Sequence, residues 1–127
     1  MMVAVAKRIL IVDDEPYILK ILAYKLRREG YTAFEAESAE EAWGILRRNR
    51  IDLVLLDVTL ATPTTGFDLA ARLREEEATR DLPVVMLTAR TLADDIRRGH
   101  EVGAMGYITK PFSPAEVLET VRSLLGD

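Results

Sequence analysis

Short apolar runs recur along this chain, and each ends in a polar residue. Ile9-Leu10-Ile11-Val12 leads into Asp13-Asp14, and Leu53-Val54-Leu55-Leu56 into Asp57. Val84-Val85-Met86-Leu87 leads into Thr88, and the shorter Tyr107-Ile108-Thr109 into Lys110-Pro111. Unbroken apolar runs are what a strand needs when helices cover both faces of its sheet. Strands are read over about 7–13, 31–36, 51–57, 82–88 and 104–109, with helical patterns over about 15–29, 39–49, 67–79, 91–102 and 114–125. Such alternation implies right-handed crossovers and a parallel sheet, an α/β architecture.

Local signals mark the helix ends. Pro16 sits just inside the first helix and Gly30 just beyond it. Ile18, Ile21, Leu22 and Lys25 fall at helical spacing there. Ser38 and Glu41 read as a capping box for the second helix, with Ala39, Ala42, Trp43 and Leu46 facing inward. The third carries Leu69, Ala70 and Leu73 inward, and Arg72, Arg74, Glu75, Glu76 and Glu77 outward as a solvated face. The 91–102 segment has weak amphipathicity and an internal Gly99, so it reads as the least stable helix. Ser113-Pro114-Ala115-Glu116 opens the last one, whose apolar face is Val117, Leu118, Val121, Leu124 and Leu125.

The 127 residues suit one domain, read as 1–127 with no output domain in this chain. A net charge of −4 gives no bulk support for direct nucleic-acid binding. With no cysteine, disulfides and thiolate metal sites are excluded. No apolar run approaches the roughly 20 residues of a membrane span, and the N-terminus lacks signal-peptide order. The expectation is a cytoplasmic protein without membrane contact.

The strand-end residues complement one another. In a doubly wound sheet, ligands bind at the carboxyl ends of the strands. Taken singly, an Asp pair after a strand reads as a turn or cap, and Thr88 or Lys110 is unremarkable. Together, Asp13, Asp14 and Asp57 would repel one another without a counter-ion, and a hard cation such as Mg²⁺ relieves that. Lys110 and Thr88 suit phosphoryl oxygens, and Asp57 is the natural nucleophile for a covalent aspartyl phosphate.

Val12-Asp13-Asp14, Leu55-Leu56-Asp57, Leu87-Thr88-Ala89 and Gly106-Tyr107-Ile108-Thr109-Lys110-Pro111-Phe112 resemble, as a set, the receiver domain of two-component response regulators. The resemblance runs from Lys7 to Leu125. It implies a flavodoxin-like (βα)5 doubly wound sheet in the order 2-1-3-4-5. It implies phosphorylation of Asp57 by a histidine kinase or phosphotransfer protein. Asp14, Asp57 and the Thr59 backbone carbonyl would bind Mg²⁺, with Asp13 acting through a metal-bound water and Mn²⁺ as a substitute ion. Lys110, Thr88 and backbone N–H groups near Thr59 and Ala89 would hold the phosphoryl group. Lys110-Pro111 matches a bond that is cis in the family. Thr88 and Tyr107 would form the switch, which acts through the surface of the 91–102 helix, fifth strand and last helix on a downstream protein or a missing output domain.

The chain also departs from the family. Proline usually stands four residues after the phosphoacceptor and glycine eight after it. Here Ala61 and Pro63 replace that pattern and Gly66 lies nine on, so the loop is one residue longer. At positions where related regulators pair through arginine–glutamate and aspartate–arginine contacts, this chain has Ile96, Glu116, Gly106 and Thr120. The expectation is a monomer or weak dimer that offers Ile96 to another partner. Arg90 is expected to slow hydrolysis by covering the phosphoryl group. His100, the lone histidine, is expected at the surface, so the donor is another molecule.

Two rivals use similar parts. A haloacid-dehalogenase-type phosphatase needs an acid two residues past its nucleophile, where Thr59 stands. A flavodoxin-like nucleotide binder wants a Ser/Thr/Gly-rich loop after the first strand, where Asp13-Asp14-Glu15 would repel phosphate. The preferred reading is a switch that catalyses only its own phosphoryl transfer and dephosphorylation.

Overall fold

The apolar runs pair side by side into one parallel sheet. The computed structural model describes residues 5–58, 60, 65–88, 97 and 103–126. Strands β1 (Arg8–Val12), β2 (Thr32–Ala36), β3 (Leu53–Asp57), β4 (Val84–Thr88) and β5 (Gly106–Thr109) lie in the order β2-β1-β3-β4-β5. All four pairings are parallel, with Val12 opposite Leu56, Asp57 opposite Leu87 and Thr88 opposite Thr109. Helices α1 (Pro16–Arg28), α2 (Ala39–Arg48), α3 (Gly66–Glu75) and α4 (Pro114–Leu125) complete the described elements. The helix expected over 91–102 lies outside the described residues apart from position 97. Among the described residues, no helix is long and apolar enough to cross a membrane.

The pleat sorts each apolar run between two cores. Ile9, Ile11, Leu53, Leu55, Val85, Leu87 and Ile108 pack with α1 and α4, while Leu10, Val12, Val54, Leu56, Val84 and Met86 pack with α2 and α3. Successive side chains point to opposite faces and both faces are covered, so the runs are unbroken. Residues that end a run are thus held at one rim by strands buried on both sides.

Four local expectations need correction. Helix α1 buries Leu19, Leu22, Ala23 and Leu26, while Ile21 is 41% exposed. Its apolar arc is wider than one stripe, and docking against β1 and α4 selects the arc around Leu22. At α2, Ser38 Oγ accepts from the Glu41 N–H at 3.1 Å, but Glu41 accepts from the Glu37 N–H instead of closing the box on Ser38. The reciprocal box occurs at α3, between Thr65 and Asp68.

The third correction concerns the end of α3, expected near residue 79. The helix stops at Glu75, and the Thr79 hydroxyl donates to the Leu73 carbonyl at 2.7 Å, so a side chain replaces the next helical turn. Arg74, expected on a solvated face, turns its guanidinium onto the carbonyls of Arg80 (3.0 Å), Leu82 (2.7 Å) and Gly103 (3.0 Å). Gly103 has φ +74°, and a Cβ there would meet Arg74 Nε at 2.8 Å. This fork joins the α3–β4 turn to the segment entering β5. Arg74→Ala is expected to lower stability by about 2 kcal/mol, because several charge-assisted bonds to backbone are lost together. Arg74→Lys should recover less than half, since an ammonium cannot span the same carbonyls. Urea unfolding midpoints check both values.

Candidate functional site

Hydrogen bonds continuing one residue past the strand pairings fix the rim. The Asp13 N–H donates to the Ala36 carbonyl at 3.1 Å, Val58 N–H to Leu87 at 2.9 Å and Lys110 N–H to Thr88 at 2.6 Å. Asp13, Asp57, Thr88 and Lys110 are therefore set by the sheet itself. Asp13, Asp57 and Thr88 are also the buried polar residues among those described, at 0%, 2% and 3% exposure. An interior of this size has no stability reason to bury two carboxylates at one spot.

Oxygens of Asp13, Asp14 and Asp57 lie within 4.8 Å of one another. Lys110 Nζ stands 2.9 Å from Asp13 Oδ2 and 3.6 Å from Asp57 Oδ2. Burial pushes the Asp13 carboxyl above its ordinary range, against the opposing pull of the Lys110 hydrogen bond and charge. For Lys110, burial works to lower the pKa, but the Asp13 hydrogen bond and the carboxylates of Asp57, Asp13 and Glu15 together raise it. The ammonium stays charged, and the acids still outnumber it. An all-oxygen donor set with surplus negative charge fits a hard divalent cation such as Mg²⁺.

The Gly66 N–H donates to the Val58 carbonyl at 3.0 Å, closing the start of α3 against the end of β3. A Cβ on Gly66 would collide with the Asp57 carbonyl oxygen and lie 2.8 Å from its carbon. Despite the longer loop, a glycine stands where backbone meets backbone. Glu15, read in the sequence only as part of the phosphate-repelling acidic run, is a further acid at the rim, with Oε1 3.5 Å from Lys110 Nζ.

The other expected positions divide. Tyr107 is half-buried on β5, opposite Met86, and packs on the core shared with α2 and α3. The Lys110–Pro111 peptide bond is cis. Glu116 and Thr120 lie on α4 beside β5, where they line a groove with Met105 and Tyr107. Thr59, Ala61, Pro63, Ala89, Arg90, Ile96 and His100 lie outside the described residues.

The response regulator receiver domain family model matches residues 9–122. The phosphate regulon transcriptional regulatory protein PhoB of Pseudomonas aeruginosa is 45% identical over 121 residues, covering 95% of this chain and 52% of that protein. PhoB of Escherichia coli is 42% identical over 120 residues, covering 94% and 52%. The chain spans about half the length of these curated relatives. Among solved structures, chemotaxis protein CheY4 of Vibrio cholerae superposes with a TM-score of 0.89 at 29% identity, covering 94% of this chain and 98% of that one. The receiver domain of sensor histidine kinase PA1611 of Pseudomonas aeruginosa, described with a magnesium ion in its active-site cleft, gives 0.85 at 28% identity over 97% and 100%. The matched stretch carries all three aspartates, Thr88 and Lys110 on a sheet of the same order, and the chain belongs to the receiver-domain family of two-component response regulators.

Proposed function

We propose that this chain is a phosphorylation-driven signalling switch that accepts a phosphoryl group on Asp57 from a histidine kinase or phosphotransfer protein. The observation that carries the reading is the meeting of three aspartates and Lys110 at the rim, with two of the aspartates buried. In the transfer, an Asp57 carboxylate oxygen bonds to phosphorus as the donor's phosphorus–nitrogen bond breaks. The departing imidazole nitrogen takes a proton from solvent. Asp14 and Asp57 would hold Mg²⁺ directly, Asp13 through water, and the Thr59 carbonyl would be the remaining protein ligand. The bound ion supplies charge neutralisation between the carboxylates and the incoming group.

Lys110 and the Thr88 hydroxyl would orient and stabilise the new phosphoryl oxygens, with the backbone N–H groups near Thr59 and Ala89. Thr88 sits at the end of β4 beside Thr109 of β5, two residues from Tyr107. A hydroxyl drawn toward the phosphoryl group would change the space beside β5, and Tyr107 would follow. Phosphorylation then biases two states by its differing contacts in each. The β5–α4 face carrying Tyr107, Glu116 and Thr120 would be the readout, toward a protein partner or an output domain. The chain would act in the cytoplasm as a monomer or weak dimer, with no direct contact to nucleic acid.

Acetyl phosphate with Mg²⁺ should add one phosphoryl group per chain by intact mass, and EDTA should prevent it. No adduct from either acetyl phosphate or a phosphohistidine donor would overturn the reading.

A further inference from the structure

The proposed phosphoacceptor chemistry leaves one charged contact unexplained. Glu15 is the N-cap of α1, yet its side chain caps nothing. Its own N–H donates to Asp13 Oδ1 at 2.9 Å, and Pro16 follows without an N–H to be satisfied. The carboxylate turns instead across the rim to Lys110, with Oε1 3.5 Å from Nζ. Lys110 is thereby shared among acids at different depths. Asp13 and Asp57, almost fully buried, draw it inward, and Glu15, half-exposed, draws it outward. The ammonium is nearly as far from Glu15 as from Asp57, at 3.5 and 3.6 Å.

We propose that Glu15 is a positioning residue that holds Lys110 partly away from Asp57 and competes with the phosphoryl group for it. The inference rests on Asp57 being the phosphoacceptor. In the resting protein this outward pull keeps the ammonium from closing onto the nucleophilic carboxylate. Once a phosphoryl group sits on Asp57, Lys110 must give up Glu15 to reach it. The phosphorylated state forfeits that contact, so Glu15 favours the resting state.

Beryllofluoride, which bonds to a carboxylate oxygen as a phosphoryl mimic, gives the test by fluorine NMR titration in saturating Mg²⁺. Glu15→Gln removes the charge, and Glu15→Asp keeps it on a side chain too short to reach Lys110. Both variants should tighten beryllofluoride binding, by about two- to fivefold for a pair this exposed. In metal-free protein, both should shift the Lys110 ammonium resonance in nitrogen–proton correlation spectra. Tightening by Glu15→Gln alone would make the effect a general field and overturn the proposal, as would an unmoved ammonium resonance. If wild type binds no beryllofluoride, the phosphoacceptor reading itself fails and the inference falls with it. Normal wild-type binding that neither variant changes removes only the role of Glu15.

Discussion

Gly66→Ala is expected to lower stability by about 2–4 kcal/mol and to slow phosphorylation by acetyl phosphate at least about tenfold. The cause is space. The added methyl would fall on the Asp57 carbonyl oxygen, and the next atoms are the Asp57 carbonyl carbon at 2.8 Å and Val58 Cα at 3.0 Å. All of these are backbone, so no side chain can rotate aside. The first turn of α3 and the end of β3 must part, and the hydrogen bond from Gly66 N–H to the Val58 carbonyl stretches with them. Asp57 sits on the part of the strand that would move, so chemistry and stability suffer together. Gly44→Ala is the matched control. It lies in α2, and its nearest neighbour is the flexible tip of Arg48 at 3.4 Å. That substitution should be neutral or stabilise by up to about 1 kcal/mol through helix propensity. Urea unfolding and the initial rate of acyl phosphate formation measure both. A Gly66→Ala protein with wild-type stability and rate would mean that the two backbones separate at no cost.

What could be read from the sequence follows from how local each cause is. The strands were legible because burial on both faces forces unbroken apolar runs, and Asp13, Asp57, Thr88 and Lys110 because each closes such a run. Gly30 past α1 and Ser113-Pro114 at the start of α4 were legible because a cap is a property of neighbours. Arg74 escapes a local reading because its partners lie beyond its helix, on the turn after it and at Gly103, 29 positions away. With Glu75, Glu76 and Glu77 beside it, a solvated face was the natural inference. Gly66 stands out in the sequence by its spacing from Asp57, but only the folded chain reveals the contact that demands a glycine. Glu15 reads in the sequence only as part of an acidic run that repels phosphate, and its reach to Lys110 depends on a side-chain direction that spacing does not encode.

Asp57→Asn should abolish acyl phosphate formation while leaving the metal-free protein as stable as wild type or about 1 kcal/mol more so. Both effects have one electrostatic origin. Three carboxylates have oxygens within 4.8 Å of one another, and among the described residues the ammonium of Lys110 stands at this rim. Converting Asp57 to an amide removes the nucleophile and also its repulsion toward Asp13 and Asp14. The attraction to Lys110 at 3.6 Å is weakened as well, and Lys110 keeps its closer contact with Asp13 at 2.9 Å. Mg²⁺ should reverse the ranking: the wild-type rim has more charge for the ion to neutralise, so its unfolding midpoint should rise more on adding Mg²⁺ than that of the variant. Urea unfolding with and without Mg²⁺, beside intact mass after acetyl phosphate, separates the two effects. A variant that still accepts a phosphoryl group would place the nucleophile elsewhere. A variant clearly less stable than wild type without metal would mean that the cluster is held together by its contacts and not strained by its charge, and the rim would then have no electrostatic need of a cation.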